Sequence, residues 1–359
     1  MRKSPATIVP RAAAALALAS ALAGAPTRAA GPAEPLWAYG YLVPPSAGDT
    51  TGPESQPPRQ PRPAPDSPEQ VMPRHLAGSA AAYSYAYVHD GRNLVDWFPG
   101  DHPPMPNVVA HGPASLGRAA RGCASCHLPT GMGRPENAPV VAQTAAYFLR
   151  QLRDFRSGAR RSADPRKPNT PLMIALAKAM SDEEMNAAAA YFGSMRGRPW
   201  TRVVETGLAP RTRIEGNLLI AVASAMSDPI AGRIVEVPEN EEQSEMRRNP
   251  RSGFVAYVPV GSIARGANLV ATGGAAIVDG RMTAGRTIAC AICHGPDLRG
   301  LAEVPGIAGR SPSYIARQLY DLRQGTRNGT FAPLMQPVVA NLADADFVAI
   351  AAYVASLPP

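Results

Sequence analysis

Two pentapeptides constrain this 359-residue chain more than anything else in it: Cys123-Ala-Ser-Cys126-His127 and Cys290-Ala-Ile-Cys293-His294, which together use all four cysteines. C-x-x-C-H is the attachment signature of haem c. The spacing follows from the chemistry: two thiols bond covalently to the vinyl groups along one porphyrin edge, and the next residue turns its imidazole onto the iron. Two disulfides are the default for four cysteines in a secreted chain. The histidine after each pair argues against that default, and also against a redox C-x-x-C, which needs no histidine. A zinc site built from both motifs would have surplus ligands. The expected cofactors are two covalently attached haem c groups with their irons, held through Cys123, Cys126, Cys290 and Cys293, with His127 and His294 as axial ligands.

The motifs lie 167 residues apart, and the sequence after each one repeats. Tyr147-Phe-Leu-Arg150-Gln151-Leu152-Arg-Asp154-Phe-Arg156-Ser-Gly158 aligns without gaps on Tyr314-Ile-Ala-Arg317-Gln318-Leu319-Tyr-Asp321-Leu-Arg323-Gln-Gly325, matching at seven of twelve positions. Each run has apolar residues at helical spacing and ends in glycine, as an amphipathic helix does. Thr170-Pro171-Leu172-Met173 then matches Ala332-Pro333-Leu334-Met335. A last acidic-started helix follows in each half, from Ser181 with a serine cap and from Ala343 without one, and runs to Ala-Ala-Tyr191 and Ala-Ala-Tyr353.

With these motifs in hand, the chain resembles the dihaem class I cytochromes c, the c-four-like periplasmic electron carriers. The resemblance covers about 123–195 and 285–357. It implies an all-α fold of two tandem class I cytochrome c domains; it does not cover the Pro-rich extended segment expected before them or the connector with a few short strands expected between them. An iron that only carries electrons needs a sixth ligand, and a methionine thioether is the soft choice that raises the potential. Met173 and Met335 stand at matching places, 46 and 41 residues after their histidines. Met180 aligns with Leu342 and is read as core. The family also has a loop proline whose carbonyl accepts a hydrogen bond from the proximal histidine. Pro305 fits that place, while Pro139 is one position out of register. Arg150 and Arg317 are expected either to pair with haem propionates or to lie on a solvated helix face.

The flanks are read by composition. Arg2 and Lys3 followed by the apolar run Ala12–Ala25 mark a signal peptide over 1–29. That run is shorter than the ~20 residues a bilayer span needs. A Pro-rich linker is expected over 30–79, a first cytochrome domain over 80–200, the connector over 201–263 and a second domain over 264–359. In the connector, Arg233–Val237 and Phe254–Val258 alternate like short strands. The formal charge of +8 suggests a polyanion partner at first sight. Loss of Arg2, Lys3, Arg11 and Arg28 with the signal peptide leaves +4. Four propionates would offset about that much. No nucleic-acid partner is therefore expected. The first domain is the more basic.

These readings point to a periplasmic electron-transfer protein of a respiratory chain. Its partners would be redox proteins, with a dehydrogenase or quinol-oxidising complex as donor and an oxidase as acceptor. It would stand free or serve as the cytochrome subunit of such a complex, associated with the membrane only through it. No enzyme activity of its own is expected. The alternative is a dihaem peroxidase-type enzyme with one reactive haem. That reading leans on the histidines upstream of the first motif, His75, His89, His102 and His111, and on five extra residues between Gly158 and Met173.

Overall fold

The computed structural model describes residues 63–359, except 65, 166 and 216. The expected signal peptide, 1–29, and most of the expected Pro-rich segment lie outside the described residues. All the rest belongs to one compact unit. In the first half the chain forms α1 (Asn107–His111), α2 (Cys123–His127), α3 (Ala145–Ser157), α4 (Asn169–Ala179) and α5 (Asp182–Ser194). The second half repeats this order as α6 (Ser262–Thr272), α7 (Ala291–His294), α8 (Pro312–Arg323), α9 (Ala332–Ala340) and α10 (Asp344–Ser356).

Local chemistry sets these boundaries. Thr144 caps α3 by accepting the Tyr147 N–H at 3.3 Å, and Gly158 ends it at φ 78°. Ser311 caps α8 through the Tyr314 N–H at 3.2 Å, with Pro312 in the first turn, where a missing N–H costs nothing. Ser181 and Glu184 form a reciprocal capping box on α5. On α10 only half of that device remains: Asp346 accepts the Ala343 N–H at 2.9 Å. The Pro-Leu-Met segments are the first turns of α4 and α9, not loops.

Each half closes its own core. Val108, Val109, Leu152, Met185 and Phe192 pack in the first, and Leu269, Val270, Leu322, Phe347 and Val354 in the second. Helices α6 and α10 cross at Gly266. A Cβ there would run into the Ala349 carbonyl and sit 2.7 Å from the Tyr353 Cβ, so only glycine permits this approach.

The fold is not all-α, and that expectation is corrected. The connector is a β structure of its own. Strands β1 (Thr201–Glu205), β4 (Val235–Pro238) and β5 (Phe254–Val258) form a three-stranded sheet in the order β1-β5-β4. In it β1 runs parallel and β4 antiparallel to β5. Strands β2 (Leu208–Glu215) and β3 (Leu218–Pro229) make a long antiparallel hairpin around Asn217, whose φ of 66° suits a tight turn. A further hairpin, β6 (Ala276–Val278) with β7 (Arg281–Thr283), interrupts the second half. The apolar run at the start of β3 shows neither helical nor alternating periodicity, so its partner strand, not its own pattern, decides its state. Trp200, Leu218, Ile220 and Phe254 of this layer pack on Leu128, Met132 and Val141 of the first half.

The segment 74–101 also clasps the connector. The Trp97 indole N–H donates to the Arg247 carbonyl at 2.7 Å, and Arg251 forms a bidentate pair with Asp101 at 2.7 and 2.8 Å. Among the described residues, no single helix is long and apolar enough to cross a membrane.

Candidate haem sites

The single turn α2 brings Cys123, Cys126 and His127 to the wall of a cavity of about 330 Å³, and α4 brings Met173 to the same cavity. That volume falls within the ~300–1,000 Å³ usual for bound cofactors. Met180 lines it as well. In the second half, Cys290 and Met335 pack against one core and His294 is buried. Each half thus brings one thiol and one thioether against its own core, Cys123 with Met173 in the first and Cys290 with Met335 in the second, while Cys293 is exposed.

The two motif histidines are each oriented by a backbone carbonyl. The His127 Nδ1 lies 2.7 Å from the Ala138 carbonyl, and the His294 Nδ1 lies 2.8 Å from the Pro305 carbonyl. A carbonyl can only accept, so Nδ1 carries the proton and Nε2 keeps its lone pair. Burial holds both imidazoles below their usual pKa, in the neutral form. The acceptor stands eleven residues after the histidine in both halves. In the first it is Ala138, and Pro139, the register-shifted candidate, instead accepts from the Arg310 Nη1 at 2.8 Å.

The first thiol of each pair has the opposite character from a redox or nucleophilic cysteine. Burial pushes Cys123 up to about 12 and Cys290 up to about 11, whereas reactive thiols have lowered values. All four are free, with no disulfide. No group of three or more metal-binding side chains of the zinc type occurs among the described residues.

The cavity of the first half is strongly basic. Seven basic side chains line it against three carboxylates. Lys167, in the inserted loop, is buried there, donates to the Glu136 carbonyl at 3.1 Å, and has its pKa pulled down to about 7 by burial and the nearby Arg317. Paired thiols, a neutral imidazole with a free Nε2, a thioether and surplus positive charge together fit a dicarboxylate iron macrocycle.

Arg150 and Arg317 both reach across to the opposite half. Arg150 pairs with the Glu303 carboxylate at 2.9 Å and the Glu303 carbonyl at 2.7 Å, with its guanidinium 3.9 Å over the Phe331 ring. Arg317 is buried and donates to the Pro135 carbonyl. Both acceptors lie in the loop that follows a proximal histidine. Of the two, only Arg317 lines the cavity.

Sequence reasoning missed the polar seam around this two-fold arrangement. Arg160 bonds Gln151 and Gln318, both at 2.8 Å. Its repeat mate Arg327 bonds the Tyr147 hydroxyl and Gln151, both at 2.9 Å, and the two arginines face each other as an isolated antiparallel bridge. Burial alone would raise the Tyr147 phenol, but Arg327 and Arg160 outweigh it and hold the phenol below its usual value. The signal was present: Arg160 and Arg327 stand at the same 33-residue offset from their histidines. The connector residues Asn217, Glu245 and Arg248 also line the first cavity, and no spacing announced them. Of the upstream histidines, none of His75, His89, His102 and His111 lines it. His102 instead lies 3.1 Å from Asp96.

Comparison with known proteins follows the same pattern. A cytochrome c family model matches residues 117–196. Cytochrome c4 of Pseudomonas aeruginosa is 27% identical over 253 residues, spanning 69% of this chain and 90% of that protein. A thiosulfate dehydrogenase electron acceptor of Stutzerimonas stutzeri is 29% identical over 242 residues, 67% of this chain and 80% of its own. Cytochrome c-554(548) of Halomonas halodenitrificans is 41% identical over 68 residues, which is 19% of this chain and 82% of that protein.

Proposed function

Because the chain belongs to the cytochrome c family, in its dihaem class I branch with covalently attached haem c, we propose that it is a periplasmic carrier that relays single electrons between a donor dehydrogenase and a terminal acceptor. Bound haem c supplies a one-electron Fe(III)/Fe(II) couple. Cys123 and Cys126, and Cys290 and Cys293, form the thioether links. His127 and His294 are the proximal ligands, oriented by Ala138 and Pro305, and Met173 and Met335 are the distal ligands. The two halves share the Arg160–Arg327 seam, which holds them in one fixed relation, and an electron crosses between them there. The chain itself makes and breaks no substrate bonds.

The observation that supports this most is the matched pair of imidazoles, each with Nδ1 tied to a carbonyl eleven residues on. Imidazoles oriented in this way would hold a haem iron with little freedom to turn, which would suit one-electron transfer. A dehydrogenase is the donor class of choice, since relatives include an electron acceptor of thiosulfate dehydrogenase and a cytochrome subunit of sulfide dehydrogenase. The test is optical. Pyridine haemochrome should give two haems per chain, and the oxidised protein should show the far-red sulfur-to-iron band of methionine ligation. Met173→Ala and Met335→Ala should each remove about half of that band. A band that survives both substitutions would rule the two methionines out.

A further inference from the structure

We infer that the connector turn 242–251 is a plug that seals the Cys126 edge of the first haem site, so that electrons are exchanged with outside partners at the open edge beside Cys293. This rests on the dihaem reading above. The two edges are equivalent in the repeat, with Ser125 matching Ile292 and Cys126 matching Cys293, yet their surroundings differ. At the first, Arg248 donates through Nη1 to the Ser125 carbonyl at 3.2 Å. Glu245, only 5% exposed, pairs with the buried Arg134 at 2.5 Å. Both Glu245 and Arg248 line the cavity. At the second edge, Ile292 is 69% exposed and Cys293 is exposed, whereas Ser125 and Cys126 are half-buried.

The plug is held under load. Arg248 takes a left-handed φ of 49°, a conformation that is strained for a non-glycine residue. Its charge is desolvated among Arg134, Glu136 and Glu245, and a buried ion cluster of this kind is poor evidence of gain in stability. The turn is also fastened from outside, by the Trp97 indole to the Arg247 carbonyl, by Arg247 to the His75 carbonyl at 3.3 Å, and by the Arg251–Asp101 pair. Strain and buried charge held by external clasps mark a segment retained for what it covers.

Electron transfer falls steeply with distance, so a layer of side chains over one edge directs traffic to the other. With haem bound in both halves, a one-electron donor would deliver its electron at the second half, from which it would pass to the oxidised group of the first, with no proton or bond changing partner.

The experiment measures edge accessibility in the holoprotein. A soluble gadolinium chelate is added, and broadening of the haem-methyl NMR resonances of each half is compared. The methyls beside Cys293 should broaden several-fold more than those beside Cys126, and Trp97→Ala or Arg248→Ala should bring the two toward equality. Equal broadening in the wild type would overturn the proposal whether or not the variants fold, as would folded variants that leave the contrast unchanged. Rapid mixing with hexaammineruthenium(II) gives an independent reading. A reductant-dependent phase should carry one haem, followed by a concentration-independent phase for the other, and two phases that both scale with reductant would also overturn it. Failure of the dihaem reading would show separately, as a haem content other than two per chain.

Discussion

Each imidazole of the two C-x-x-C-H motifs is oriented by one carbonyl, and the identity of the residue that carries the carbonyl is immaterial. Ala138 serves as well as Pro305 because the backbone oxygen does the work. Asp346 shows how much one side chain can hold. It is almost fully buried, accepts the Ala343 N–H, and pairs with Arg265 at 2.5 Å and Arg286 at 3.1 Å. Burial would raise its carboxyl, but Arg265, the Ala343 N–H and Arg286 hold it below the ordinary value. A depressed native pKa means that the unfolded chain binds more protons as acid is added. The stabilisation is therefore complete above the ordinary carboxylate pKa and is lost as pH falls through the native value. Asp346→Asn should cost about 1–2 kcal/mol at pH 7, the partner arginines being half exposed. In chemical denaturation, the gap from wild type should close as the solution is made more acid.

Among the elements, the α6–α10 crossing is the least tolerant of change. Gly266→Ala would favour an isolated helix by about 1 kcal/mol. Here it must displace the Ala349 carbonyl or the Tyr353 side chain, so a net loss of about 1–3 kcal/mol is expected, as for overpacking. Thermal unfolding followed at the Soret band of the second haem would show it, and a rise in Tm would contradict the packing argument. The β6–β7 hairpin carries its own explanation: Asp279 and Gly280 both have positive φ, 51° and 73°, the Asp-Gly signature of a tight hairpin turn. That dipeptide was legible in the sequence and was hidden only by the helical repeat around it. The long β2–β3 hairpin was not legible in this way, because the apolar run of β3 fits a buried helix as well as a strand.

For the molecule as a whole, the seam decides whether two domains act as one. Arg160 and Arg327 bridge the halves through Gln151, Gln318, Tyr147 and Tyr314. Backbone bonds from Arg161 to Thr326 at 2.8 Å and from Asn328 to Ala159 at 2.7 Å run beside them. Arg310 adds a third tie, from its own Gly306 carbonyl to those of Pro139 and Val141 in the first half. Replacing Arg160 and Arg327 together by alanine takes away the hydrogen bonds that the buried Tyr147 phenol and the half-buried Gln318 amide receive from them, which costs about 1–3 kcal/mol for each group left unsatisfied. Denaturant titration of the wild type should show one transition for both haems. The double variant should show two, and a single unshifted transition would mean that the seam contributes nothing to coupling.

By itself, the sequence determined the covalent and local chemistry. C-x-x-C-H, the 167-residue repeat, the capped amphipathic helices and the matched methionines are short-range patterns, and short-range patterns survive without knowledge of the fold. Tertiary structure alone decided the β2–β3 hairpin and how the connector strands pair, the crossing of Arg150 and Arg317 into opposite halves, and the entry of Glu245 and Arg248 into the first cavity. Those outcomes depend on which surfaces meet. Strand pairing, desolvation and ion pairing are properties of two segments brought together, and neither segment carries the result within its own residues.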